Sequence, residues 1–259
     1  MFDKYEVSKM PGHWLLARLG KKILRPGGVE LTNLILKHLN IRRQDTVVEL
    51  APGIGATAHK ILAGELHRYY GIDQNKEVVT TLSKKYPGNY IQFINANAVN
   101  TGLPDACASK VIGEAMLTMQ SKSNKQQIIN EAYRLLKRNG KYAIHEICLV
   151  PEDISDDKKN MLSKGISGNI HVNARPLTLN EWTSLFVKAG FKIKKVLYSP
   201  MHLLETGRLV KDEGVTGVLK IGFNALRTPG ALNRVLSMRK MFRALEPNMK
   251  AISIIGIKP

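Results

Sequence analysis

Cysteine is scarce in this 259-residue sequence: Cys107 and Cys148 stand far apart, without the close spacing of a metal site. This argues against a disulfide-stapled secreted scaffold and against zinc, and makes free thiols in a reducing compartment the expectation, with no metal. Long apolar runs are missing too. None approaches the ~18 residues that read as a bilayer span, so no transmembrane helix is expected. The first residues, Met1-Phe2-Asp3-Lys4-Tyr5-Glu6, lack the charged-then-apolar pattern of a leader, and a cytoplasmic protein is the expectation. Aromatic residues are only 6% of the chain, which leaves little material for the stacking platform of a single-strand nucleic-acid binder. Acid is the last shortage. Against 39 Lys and Arg there are 21 Asp and Glu, a net charge of +18. That balance suits nucleic acid, an anionic membrane surface, an anionic small substrate, or a merely basic soluble surface, and carries no information about fold.

What is present is an ordinary core-forming composition, 44% hydrophobic, long enough for one α/β domain or one domain with a sizeable insertion. The chain is organised around residues 45–58. Thr46-Val47-Val48-Glu49-Leu50 reads as a short buried strand, Ala51-Pro52-Gly53-Ile54-Gly55 as a tight turn, and the residues from Ala56 as a helix. Gly53 and Gly55 let the backbone approach a ligand closely, and the helix start behind them offers unpaired N–H groups. Gly53-x-Gly55-x-x-Ala58 also fits the dinucleotide fingerprint, so the glycines alone do not choose the ligand. Glu49 does: an acid at this strand end repels a pyrophosphate and suits a ligand carrying an ammonium and a sulfonium.

On this run the chain resembles the class I S-adenosylmethionine-dependent methyltransferases, specifically their small-molecule, type 11 group. The family's first motif is an apolar strand, an Asp or Glu, three residues, then Gly-x-Gly. The resemblance implies S-adenosyl-L-methionine as cofactor, S-adenosyl-L-homocysteine as product, and an α/β, doubly wound, Rossmann-like sheet of seven strands. The last strand is antiparallel, helices cover both faces, and a helical cap or lid completes the fold. Cofactor contacts are implied at Glu49, Ala51, Gly53 and Gly55.

The rest of the chain alternates accordingly. Residues 68–73 read as a second strand ending in Asp73, placed to accept hydrogen bonds from ribose hydroxyls. The third strand runs into Asn95-Ala96-Asn97-Ala98, where the family usually has Gly-Asp-Ala. Asn97 can still accept from an adenine amino group, with Ala98 beside it. A fourth strand ends at Glu114, and a fifth carries His145 and Glu146. These three are the candidate catalytic acids and bases, and Glu114 is also a candidate for the cofactor wall. Near the start, Arg25-Pro26-Gly27-Gly28 precedes a helix with Leu31, Leu34, Ile35 and Leu39 on one stripe. By resemblance, Gly27 and Gly28 lie over the cofactor near its carboxylate.

The expected organisation is a flap over residues 1–44, a cofactor-binding core over 45–150 and a polar, glycine-punctuated lid insertion over 151–177. Residues 178–259 complete the sheet, opening on the capping box Thr178-Leu179-Asn180-Glu181 and carrying a basic two-helix insertion at 200–249. Tyr5, His13, Trp14, His171 and Arg175 are the candidate acceptor contacts. The second inserted helix, with Arg234, Met238, Met241 and Leu245 among basic neighbours, reads as a basic amphipathic helix, either packed on its own domain or resting on an anionic membrane; peripheral contact through 206–249 is the membrane expectation. No Asn/Asp-Pro-Pro-aromatic run and no Pro-Cys pair occurs, so the family's nucleic-acid motifs are missing and a small-molecule acceptor, amphiphilic or anionic, is favoured. An RNA methyltransferase, or a nucleotide-binding protein without methyl transfer, remains the alternative.

Overall fold

The structure, a computed structural model, describes residues 6–259. The chain runs α1 (Gly12–Arg18), α2 (Gly28–Leu39), β1 (Thr46–Leu50), α3 (Ala56–Leu62), β2 (Arg68–Asp73), α4 (Lys76–Lys85), β3 (Ile91–Asn95) and β4 (Ala108–Glu114). It continues through α5 (Lys122–Leu135), β5 (Leu136–Leu149), α6 (Asp156–Ile170), β6 (Leu177–Thr178), α7 (Leu179–Lys188), β7 (Lys192–Pro200), α8 (Thr206–Arg227), α9 (Ala231–Leu245) and β8 (Met249–Ile257).

Seven strands form the sheet in the order β3-β2-β1-β4-β5-β8-β7, and the two-residue β6 adds a parallel pairing at the end of β5. The last strand, β8, lies antiparallel between β5 and β7, and the other principal strands are parallel along their run from β3 to β5. Strand order reverses between β1 and β4, which opens a crevice at their carboxyl ends. Buried β1 is apolar apart from Thr46 and Glu49, as a central parallel strand must be. Edge strand β7 carries Lys192, Lys194 and Lys195, charges that discourage pairing with another chain.

Each sheet face has its own core. Leu31, Ile35 and Leu39 of α2 and Ile61 of α3 pack against Val47, Tyr69 and Ile112. Leu34, expected on that stripe, is 43% exposed, because the buried face follows the i, i+4 row of its neighbours. On the other face α5 and α7 bury Ile128, Ile129, Trp182 and Phe186, and the Thr178–Glu181 capping box is formed on both sides. A third cluster lies beyond the sheet, where α1, α6, α8 and α9 gather over Leu149 and Met249.

Both stretches outside the alternating core carry helices. The stretch 151–177 is largely helical: Ser155 caps α6, and Leu162 and Ile166 are buried in the third cluster, an apolar pair that outweighs Gly165 and Gly168. In α9, Met238 and Met241 are buried against that cluster, so its apolar stripe faces the protein's own body. α8 starts at Thr206 and is made of two helical pieces that meet at a break at Gly214. No helix among the described residues is long and apolar enough to cross a membrane.

Candidate functional site

The crevice is built first by the turn after β1. Ala51 (φ 55°), Gly53 (φ 56°) and Gly55 (φ 80°) are all left-handed, and Gly55 N donates to Pro52 O at 2.9 Å. A side chain at Gly55 would strike Leu82, whereas one at Gly53 would meet nothing within 4 Å, so the turn is packed behind and open in front. Asp73, at the end of β2, braces this turn: its Oδ2 accepts from Gly53 N at 3.2 Å and its Oδ1 from Asn75 N at 2.9 Å. Capping of α4 falls to Asn75, whose side chain accepts from Glu77 N, which leaves Asp73 facing the glycines.

Glu49 lies beneath the turn, buried, accepting from the Tyr69 hydroxyl at 2.6 Å. Burial pushes its carboxyl up to about 8, and the nearby Glu114 and Asp73 carboxylates push the same way, against Tyr69 and Arg25. Asp73 is also raised, by burial first, with its two backbone hydrogen bonds opposing. Glu49 is therefore the acid most in need of a cation.

Glu114 has the opposite environment. Its Oε1 accepts from His145 Nδ1 at 2.8 Å and Thr32 Oγ1 at 2.7 Å, with Arg25 Nε at 3.3 Å, and its Oε2 accepts from Thr57. Burial alone would raise this carboxyl, but Arg25, His145 and Thr57 hold it at about 2. Two polar atoms of this cluster are left over: Arg25 Nη2, a donor, and His145 Nε2, the acceptor nitrogen of a ring that donates through Nδ1, are buried and find no hydrogen-bond partner among the described residues. Gly27 (φ 70°) sits directly above, where an added Cβ would lie 3.2 Å from His145 Nε2.

The turn at Gly27 is held down by α8. Arg208 Nη1 donates to Gly27 O at 3.2 Å, Asp212 Oδ1 accepts from Val29 N at 2.8 Å, and Glu213 Oε1 accepts from Lys22 N and Ile23 N at 2.8 Å. The buried Lys21 ammonium lies 3.7 Å from Asp212 and 3.5 Å from Glu213. The break at Gly214 ends the turn of helix from which both acids reach inward.

The structure thus gathers Glu49, Ala51, Gly53, Gly55 and Asp73 at the mouth of β1, with Gly27, Gly28, Glu114 and His145 alongside. It separates others. Glu146 is corrected as a candidate base: it is wholly buried, and its oxygens accept from the backbone N–H groups of Met116, Leu117 and Thr118 at 2.8 to 3.0 Å. It shapes the loop after β4. Glu114 is likewise unsuited to taking a proton, since cations and hydroxyls already hold its charge. Asn97 is exposed and its Oδ1 already accepts from Val99 N at 3.0 Å, with Ala98 half-buried beside it.

Of the acceptor candidates, Tyr5 lies outside the described residues. His13 and Trp14 pair their rings at 4.9 Å on α1, and burial pushes the His13 imidazole down to about 4. His171 ends α6 in a left-handed conformation, close to α1, since Gly12 touches Ile170. Arg175 is exposed, and its N–H donates to Thr118 O at 2.8 Å. Arg25, Thr57, Tyr69 and the α8 acids were not singled out by the sequence. Only Arg25, next to Pro26-Gly27-Gly28, gave a local signal. Among the described residues no three His, Cys, Asp or Glu side chains form a cation site.

A family model for a methyltransferase domain matches residues 48–144. An uncharacterized protein of Haemophilus influenzae is 31% identical over 250 residues, covering 95% of this chain and 96% of its own. The phosphoethanolamine N-methyltransferase of Plasmodium falciparum is 21% identical over 174 residues, 67% of this chain and 63% of that enzyme. Among solved structures, phosphoethanolamine N-methyltransferase 2 of Haemonchus contortus, in complex with phosphomonomethylethanolamine and S-adenosylhomocysteine, superposes with a TM-score of 0.74 at 17% identity. The match covers 99% of this chain and 59% of that one.

Proposed function

The chain belongs to the class I S-adenosylmethionine-dependent methyltransferases, and from that premise we propose that it methylates a small-molecule acceptor, amphiphilic or anionic. The observation that carries this reading is the roof over the crevice. Residues 22–29 cover it and are pinned by Asp212, Glu213 and Arg208, an arrangement that suits an enclosed small acceptor better than a polymer laid across an open groove. The likeness to enzymes named for phosphoethanolamine supports an acceptor with an anionic group, as does the net charge of +18.

The residues fit the cofactor. In this reading Asp73 accepts from the ribose hydroxyls, Glu49 faces the cationic amino-acid end, and the open side of Gly53 admits close backbone approach. Arg25 Nη2, a buried cation with no hydrogen-bond partner among the described residues beside the Gly27 turn, is suited to the carboxylate. Asn97 and Ala98 border the adenine. The cofactor supplies an activated methyl group and its own leaving group. The chain's work is alignment and exclusion of water, with the segment up to residue 44 as flap and 151–177 as lid. His145, oriented through Nδ1 by Glu114, is the remaining candidate base should the acceptor need to lose a proton; His13, Trp14, His171 and Arg175 border the acceptor's approach.

The test is transfer of labelled methyl from S-adenosylmethionine into a cell extract fractionated into RNA, protein, lipid and soluble metabolites. Label in metabolites or lipid supports the reading. Label confined to RNA or protein overturns it.

A further inference from the structure

α8 buries one face and leaves the opposite one apolar and bare. Ile221 and Ala225 point into the third core cluster, while Val215, Leu219, Phe223 and Leu226 are 63%, 68%, 55% and 73% exposed. Their spacing places them in one row along the outward side of the helix after the Gly214 break. Beyond the turn to α9, Leu232 and Leu236 are exposed as well. A solvated helix face ordinarily carries charge and short polar groups, so a row of four large apolar side chains marks a contact surface.

The charges around the row identify the contact. Between residues 206 and 245 there are eight Lys or Arg and two acids, Asp212 and Glu213. Both acids are turned inward onto Lys21, with side chains 0% and 1% exposed, so neither offers its charge on this face. Arg208, Lys211, Arg239 and Arg243 are paired with Glu30 or Glu205 and Arg234 donates to backbone oxygens, so the cations that count at this face are Lys220 and Arg227. Lys220 and Arg227 are exposed on the row's flank, and the Arg227 guanidinium lies 4.6 Å from the Phe223 ring centroid. Exposed Arg18 and Lys22 come from the end of α1, which α8 holds through Asn224 Nδ2 donating to Leu19 O at 2.9 Å.

We propose that the outward face of α8 docks on an anionic lipid bilayer, with Val215, Leu219, Phe223 and Leu226 entering the interface and the flanking Lys and Arg meeting lipid phosphates. Apolar anchors beside cations are what such a surface rewards. A second copy of the chain is a poor occupant, because pairing would set two bodies of charge +18 and two sets of these cations against each other. Docking stands independently of the acceptor. It has a consequence for it, however: the helix on the bilayer is the helix whose acids hold residues 22–29 over the crevice, so the flap lies near the lipid.

The test uses the full chain, without cofactor, sedimented with vesicles of phosphatidylcholine alone or mixed with phosphatidylglycerol. Binding is expected to the mixed vesicles and to weaken with salt. The double variant Leu219→Glu/Phe223→Glu should lose at least about tenfold in partition. Lys220→Ala and Arg227→Ala should each cost about fivefold. Circular dichroism melting and S-adenosylhomocysteine binding report that the variants are folded. No binding by the wild-type chain, equal binding to phosphatidylcholine alone, or unchanged binding by the folded double variant overturns the proposal. So does a dimer that the double variant abolishes without any vesicle binding. None of these outcomes bears on whether the chain transfers methyl groups.

Discussion

Glu114 and His145 are register partners on adjacent parallel strands, and the imidazole Nδ1 donates to the carboxylate at 2.8 Å inside the protein. This pair joins the sheet to the flap, because the same carboxylate receives Arg25 and Thr32. Glu114→Ala leaves the Arg25 guanidinium buried without its counter-charge and should cost about 3–5 kcal/mol of stability, read by urea denaturation. Glu114→Gln should cost less, since the amide oxygen still accepts from Thr32 and His145.

The same carboxylate sets an acid limit. Its pKa falls from 4.5 in the unfolded chain to about 2 in the folded one, so its contribution to stability is present above 4.5 and is lost as pH falls from there towards 2. Urea midpoints measured across that window should fall more steeply in the wild-type chain than in Glu114→Gln.

Glu146 should behave as a structural residue. Glu146→Ala strands the N–H groups of Met116, Leu117 and Thr118 in the core and should cost about 3 kcal/mol. Its melting temperature should fall while the pH profile of methyl transfer keeps its shape. A shifted profile with unchanged melting would restore it as a base.

Two glycines separate cofactor binding from attachment of the flap. Gly53→Ala places a methyl group in open space at φ 56°, so it should cost about 1–2 kcal/mol of backbone strain and weaken S-adenosylhomocysteine binding by filling the front of the turn. Gly28→Ala would collide with the Asp212 carboxylate. It should loosen the flap from α8, seen as faster proteolysis near residues 20–30 with the sheet intact.

The parts of this molecule that lie close in sequence were readable from it. Glu49, Gly53 and Gly55 occupy one turn, Thr178 and Glu181 one capping box, and the alternation of strands and helices gave the sheet. Long-range partnerships were hidden. Lys21 meets Asp212 and Glu213 across about 190 residues, and no local pattern distinguishes a buried ion pair from solvated charges. Glu146 and Glu114 both sit near strand ends, and only the loop after β4 decides which of them spends its oxygens on backbone. Periodicity gave α9 an apolar stripe but could not tell whether it is covered, and the bare row on α8 was not singled out. Met238 and Met241 are buried, whereas Leu219 and Phe223 are bare.

The account rests on Glu49 as the group that selects a cationic cofactor. With its carboxyl near 8 in the free protein, Glu49 is mostly protonated at pH 7, and a sulfonium and ammonium entering beside it should drive that proton off. Affinity for S-adenosylmethionine should then rise as pH climbs towards 8, by up to about tenfold per unit. The decisive measurement is calorimetric titration of S-adenosylmethionine at pH 7 in two buffers of different ionisation enthalpy. The expected result is release of close to one proton on binding by the wild-type chain and of none by Glu49→Gln, which binds more weakly. Tight binding with the same proton balance in both proteins would contradict it.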